Sequence, residues 1–187
     1  IMFNGVDFPL GAAQAEALQA LNEQYDLPAN VPCFLFVGRM LWYKGQRCTL
    51  DGLKLLKDRG YDFRMVFIGS GDNYRDIGEY AQQLGLGQKV LMFENIQDRE
   101  LLRAWYSRAD LFLFPSTFDT NGLVVREAAA CGTASVMIRD SSSALGSTDH
   151  QNCLLIRESA TSMADALEEA CKDPEMIREL GARAQEE

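Results

Sequence analysis

The chain repeats one pattern: a short run apolar on both faces, then a longer stretch with apolar residues at helical spacing. Such runs are Cys33-Phe34-Leu35-Phe36-Val37, Met65-Val66-Phe67-Ile68, Val90-Leu91-Met92-Phe93, Leu111-Phe112-Leu113-Phe114 and Ser135-Val136-Met137-Ile138, with Leu154-Leu155-Ile156 a shorter sixth. Strands apolar on both sides belong in a parallel sheet covered above and below. Between them, Leu50, Leu53 and Leu56 share a stripe after Gly45, and Leu101, Leu102, Trp105 and Tyr106 form another, with Asp98 as N-cap. Met163, Ala164, Leu167, Ala170 and Cys171 form a third, stopped by Asp173 before Pro174 opens a further helix. The stretch Ala12 to Tyr25 also reads as helical. Strand and helix alternating six times predict an α/β fold: a doubly wound, Rossmann-like parallel sheet of about six strands with helices on both faces. No linker or repeat divides residues 1–187, which read as one domain, and Ser141-Ser142-Ser143 is the segment that looks most flexible.

Charge narrows the function. Eighteen Lys and Arg against 27 Asp and Glu give a net charge of -9 in 187 residues, which repels a phosphate backbone and argues against nucleic acid as a partner. The 5 cysteines form no CxxC pair, so they read as small core residues of a reducing, cytoplasmic compartment. No apolar run is long enough to span a membrane. The chain begins Ile1-Met2-Phe3 and ends within a helical pattern, so it is expected to be a fragment of a longer protein.

In doubly wound sheets ligands bind beyond the carboxyl ends of the strands. The first run ends at Gly38-Arg39, with Lys44-Gly45 shortly after. An arginine fork and a lysine point charge suit phosphate oxygens, and they also suit a solvated loop. Trp42 and Tyr43, between them, read equally as loop packing or ligand contact. The second run ends at Gly69-Ser70-Gly71, which opens like a dinucleotide fingerprint, but Tyr74 stands where the third glycine belongs. The turn serves either close approach of backbone to a ligand or tight chain reversal.

The fourth run leads through Pro115-Ser116 and Asp119 to Asn121-Gly122-Leu123-Val124-Val125-Arg126-Glu127-Ala128, a helix that Gly132 ends. Amides of Gly122, Leu123 and Val124 at a helix N-terminus suit an anion. Glu127 lies roughly 7–8 Å further along the axis, the separation of a diphosphate from its ribose diol. A carboxylate accepts from both ribose hydroxyls. A glutamate in so apolar a helix needs a partner, and Arg126 does not face it. His150 stands alone in a polar loop and reads as a surface side chain, and the absence of a D-x-D pair leaves no obvious metal–diphosphate site.

These motifs together resemble the C-terminal, donor-binding domain of a GT-B fold retaining glycosyltransferase of family 4. The resemblance starts at Asn4-Gly5-Val6-Asp7 and rests on Gly38-Arg39 with Lys44-Gly45, Gly69-Ser70-Gly71, Ala109-Asp110, Pro115-Ser116, and Gly122-Leu123-Val124 with Glu127-Ala128. It implies Arg39, Lys44, Asp119 and Glu127 as catalytic residues. Arg39 and Lys44 would neutralise the leaving diphosphate, Glu127 would hold the ribose, and Asp119 would contact the sugar. Gly38, Gly69, Ser70, Gly71, Phe93, Asn95, Ile96, Asn121, Gly122, Leu123 and Val124 would bind the rest of the donor, with the base near Phe93 to Ile96. The resemblance implies a nucleotide-diphospho-sugar donor, no cofactor and no metal. It implies an N-terminal acceptor domain, absent here, and a saccharide or lipid acceptor. Membrane attachment would come from that absent domain. The fragment alone is expected to bind nucleotide weakly and to transfer nothing. Asp119 for glutamate, Asn121 for an aromatic residue, Leu145 for glutamate and Cys153 for glycine depart from the family pattern. Competing expectations are a nucleotide-sugar epimerase of the same fold, a non-catalytic α/β module and, weakened by Tyr74, a dehydrogenase domain.

Overall fold

The computed structural model describes residues 13–117 and 122–186. Its strands are β1 (Cys33–Val37), β2 (Arg64–Ile68), β3 (Val90–Phe93), β4 (Leu111–Phe114), β5 (Ser135–Ile138) and β6 (Cys153–Ile156). Its helices are α1 (Ala15–Gln24), α2 (Gln46–Asp58), α3 (Tyr74–Gln83), α4 (Arg99–Arg108), α5 (Leu123–Ala130), α6 (Ala160–Lys172) and α7 (Pro174–Glu186). Every neighbouring strand pair is parallel, in the order β3-β2-β1-β4-β5-β6. The expected architecture is present, and each apolar run is a strand. Short sections apolar on both sides have no solvent face to offer, so burial selects this arrangement.

Contacts among α2, α3 and α6 place them on one face, and contacts linking α1, α4, α5 and α7 place those on the other. Leu50, Leu53 and Leu56 of α2 are buried, and Gly52 lets α6 close in: a Cβ there would stand 2.6 Å from Cγ of Met163. Phe34, Phe36, Phe67, Phe112 and Phe114 fill the sheet faces. At about 25 cal/mol per Å², each of these rings contributes more than an aliphatic neighbour. Asp98 caps α4 as expected, its carboxylate accepting from the amides of Glu100 and Leu101.

Two expectations fail locally. The link from β5 to β6 carries no α-helix. Residues 139–152 are rich in serine, threonine and aspartate and lack an apolar stripe, and Ser142–Ala144 forms only a 3-10 turn. The serine run is also built in: Ser141 is buried, its hydroxyl lies 3.1 Å from that of Ser143, and its carbonyl accepts from Ala144.

Candidate functional site

The crossovers run outward from β1 to β3 and then return to β4 on the other side of β1. Chain connections therefore part above β1 and β4, and a crevice opens at their carboxyl ends. Backbone hydrogen bonds stitch the loops there. Gly38 donates to Ile68, Met40 to Ser70, Asn73 to Met40 and Gly69 to Phe93, all at 2.9–3.0 Å. The Gly-Ser-Gly turn now has a physical cause. A Cβ on Gly69 would stand 1.7 Å from the Gly38 carbonyl oxygen, and one on Gly71 2.5 Å from that of Met40. Protein backbone fills the space a side chain would need at both glycines, and Tyr74 opens α3.

The same stitching leaves a cavity of about 250 Å³ lined by Gly38, Arg39, Gly69, Ser70, Asn95 and Ile96, with Leu102 of α4 closing one side. These sequence-predicted residues thus meet in one place. Phe93 contributes from behind: its ring packs on Tyr25 and Trp105, and its carbonyl is taken by Gly69. Arg39 is exposed at the rim, with its backbone carbonyl fixed by Nε2 of buried Gln46 at 3.0 Å. Lys44 ends the 3-10 turn Trp42–Lys44, its Nζ 5.5 Å from the Tyr43 ring centre. Trp42 packs on Tyr80 of α3, the two sharing the Arg47 guanidinium at 4.6 Å each, whereas Tyr43 stays exposed. Gly45 then seats this loop on the end of β4, where a Cβ would lie 2.2 Å from the Pro115 carbonyl oxygen.

On α5, Glu127 is only 6% exposed. Its partner comes from α4: the Tyr106 hydroxyl donates to Oε2 at 2.8 Å, and Arg99 stands 3.8 Å from Oε1. Burial, and then the negative charge of Glu127, push the Tyr106 phenol well above its ordinary pKa. Arg99, Leu102 and Tyr106 lie on one stripe of α4, so the helix that closes the cavity also carries the groups around Glu127. Gly122 and Arg126 lie on the other flank of α5, beside a second cavity of about 330 Å³ that Ser135, Ser142, Ser143 and Asn152 also line. Leu123 and Val124 form the first turn of α5. Asp119 and Asn121, and the Asn4-Gly5-Val6-Asp7 motif, lie outside the described residues.

A family model described as glycosyl transferases group 1 matches residues 19–187. The chain belongs to this family. As a group 1 glycosyltransferase chain it is similar to D-inositol 3-phosphate glycosyltransferase of Xylanimonas cellulosilytica, 34% identical over 69% of this chain and 32% of that protein. The chain therefore spans about a third of that curated relative. It superposes on the C-terminal domain of the group 1 protein LpcC from Francisella tularensis with a TM-score of 0.78 and 20% identity, covering 100% of this chain and 95% of that one. With Anabaena HepE, crystallised in complex with UDP-glucose, the TM-score is 0.81 at 20% identity, over 94% of this chain and 48% of that one. At this identity both likenesses speak for the fold.

Some features of this group 1 domain lie beyond sequence reading. Tyr106 and Arg99 sit 21 and 28 positions from Glu127, and no local spacing links them. His150 is not alone. Its Nδ1 lies 3.0 Å from Asp149 and its Nε2 2.8 Å from Glu169 of α6, so two carboxylates face the two ring nitrogens. The Glu169 hydrogen bond and the Asp149 charge raise its pKa despite partial burial. Burial opposes the Asp149 carboxylate, but the Leu155 amide, His150 and Arg139 outweigh it and hold its pKa low. Among the described residues no group of three or more His, Cys, Asp or Glu is placed to hold a metal. No helix there is long and apolar enough to cross a membrane.

Proposed function

We propose that this chain is the donor-binding part of a retaining, metal-independent glycosyltransferase that uses a nucleotide-diphospho-sugar. One observation carries the reading: a buried carboxylate, Glu127, stands across one helix stripe from a cavity at the carboxyl ends of β1 and β2, with Arg39 at its rim. The base enters that cavity and meets backbone at Gly38, Gly69 and Asn95. Glu127 accepts from the ribose hydroxyls. Arg39, Lys44 and the first amides of α5 face the diphosphate, and Asp119 serves the sugar. In the reaction the sugar C1–O bond to the β-phosphate breaks. C1 bonds to the acceptor oxygen on the same face, and the acceptor proton passes to the leaving phosphate. Fixed cations and helix amides stabilise the charge that develops on the diphosphate, the role a metal plays elsewhere. The HepE complex with UDP-glucose supports a donor of this class on this fold.

A saccharide or lipid acceptor would bind a second domain, as the limited share of the relatives spanned by this chain suggests. The isolated chain then binds nucleotide and transfers no sugar. Calorimetric titration with UDP, GDP and ADP in EDTA tests this. Binding of one nucleotide without metal, lost in Glu127→Ala, is expected. Equal binding by wild type and Glu127→Ala, or binding that requires metal, overturns the reading.

A further inference from the structure

We propose that Tyr106 is a positioning residue for nucleotide recognition: its hydroxyl locks the Glu127 carboxylate in the orientation that takes the ribose diol. The inference rests on the reading of Glu127 as the ribose ligand and goes beyond it.

A buried carboxylate is mobile about its terminal torsions unless something holds it, and an unpaired charge there is costly. Tyr106 supplies one such hold. Its hydroxyl meets Oε2 at 2.8 Å, whereas Arg99 approaches Oε1 only to 3.8 Å and its side chain is 49% exposed. A half-exposed guanidinium at that distance is screened by water and contributes little orientation. The phenol is itself fixed. Tyr106 is fully buried, its ring packs 5.7 Å from that of Phe112, and its carbonyl accepts from the Thr133 hydroxyl. An ionised carboxylate only accepts hydrogen bonds, so the direction of the bond is unambiguous.

The geometry assigns the two oxygens different duties. Oε2 points into the interior toward Tyr106. Oε1 lies on the side of Arg99, which reaches solvent one turn of α4 before cavity-lining Leu102. Ribose arriving from the cavity meets a carboxylate whose angle is already set, and binding pays less ordering entropy. Tyr106 touches neither base nor phosphate in this arrangement. Its influence on a nucleotide passes through Glu127 and the ribose hydroxyls.

That route gives a readout that a merely structural tyrosine would not move. The tightest-binding of UDP, GDP and ADP is compared with its 2′,3′-dideoxy form on the 187-residue chain, whose relative LpcC crystallised as a C-terminal domain. Wild type is expected to prefer the ribonucleotide. Tyr106→Phe is expected to cut that preference about five- to tenfold, the size of one ordinary net hydrogen bond lost indirectly through Glu127, and to leave dideoxynucleotide affinity unchanged. Glu127→Ala is expected to abolish the preference. If Tyr106→Phe keeps the wild-type preference while Glu127→Ala loses it, Tyr106 positioning is refuted and the ribose role of Glu127 stands. If Glu127→Ala keeps the preference, or wild type binds no nucleotide, the donor-site reading falls and this proposal with it. Should Tyr106→Phe fail to fold, 3-fluorotyrosine at position 106 keeps ring and hydroxyl while altering its donor strength, and an unchanged preference there also refutes the idea.

Discussion

Gly45 and Gly60 form a matched pair that isolates the cost of seating the Lys44 loop on β4. Their φ angles are +93° and +92°, so alanine meets the same left-handed backbone at both. That strain costs about 1–2 kcal/mol, offset by about 0.4–1 kcal/mol because alanine restricts the unfolded chain. The surroundings differ. A Cβ at Gly60 meets nothing within 4 Å, while one at Gly45 meets the Pro115 carbonyl oxygen at 2.2 Å and its carbon at 2.7 Å. An ordinary C···O approach is about 3.3 Å, so the β1–α2 loop and the end of β4 must part by roughly 1 Å. Both sides of that contact are backbone tied to regular elements, Gly45 at the start of α2 and Pro115 at the end of β4, and overpacking of this kind adds about 1–3 kcal/mol. Gly60→Ala should therefore cost about 1 kcal/mol and Gly45→Ala about 2–4 kcal/mol. Urea unfolding of both variants with a common m-value measures this directly. Losses equal within about 0.5 kcal/mol would refute the steric argument. Because the same movement shifts Lys44, Gly45→Ala should also weaken nucleotide binding while Gly60→Ala leaves it intact.

Other consequences follow from local chemistry. His150 has a raised native pKa, so its pairing with Asp149 and Glu169 stabilises the fold fully below its ordinary value of 6.5 and loses that contribution as pH rises through the raised native value. His150→Gln should flatten the pH dependence of the melting temperature in that window, and an unchanged slope would count against the pairing. Asp98→Ala should cost about 1 kcal/mol by uncapping α4, with Asp98→Asn within a few tenths, read by chemical unfolding. Cys33 is buried and its thiol is pushed up to about 12 by desolvation, so iodoacetamide near neutral pH should leave it unmodified until the protein unfolds. Labelling of Cys33 in the native protein, seen by peptide mass analysis, would contradict its burial.

The strands were legible because four or five residues apolar on both sides admit few alternatives. β1, β3, β4 and β5 coincide with the runs read from sequence, and β2 and β6 begin one residue early, at Arg64 and Cys153. The α4 cap was legible for the same reason, since Asp98 acts on amides within three residues. Contacts between distant segments leave no periodic trace. The demand of Glu127 for a partner could be deduced from burial, but Tyr106 could not be chosen among the polar residues of neighbouring helices. The glycines at 69 and 71 read equally as ligand-approach or tight-turn positions because a glycine reports only that something comes close, and the sequence could not show that the Gly38–Met40 backbone is one such neighbour. His150 is at the surface as read, but not alone, because Glu169 reaches it from a helix 19 residues away.

The strand order also imposes a schedule on assembly. β1 pairs with β2 soon after both are made, but its other neighbour arrives late: the Cys33 amide is held at 2.8 Å by the Asp110 carboxylate, 77 residues downstream. Such distant pairing carries a larger loop-closure cost and comes after the local units. A chain growing from its N-terminus therefore holds a three-stranded half first, with Arg39 and Lys44 already at its edge. The wall opposite, Pro115 and Ser116 at the end of β4 and Glu127 on α5, is added only when β4 docks and α6 settles on α2. The crevice between the halves is a late product of folding. A ligand that bridges both walls can act as a template for that closing step, and nucleotide present during refolding should speed its slow phase without altering the early one.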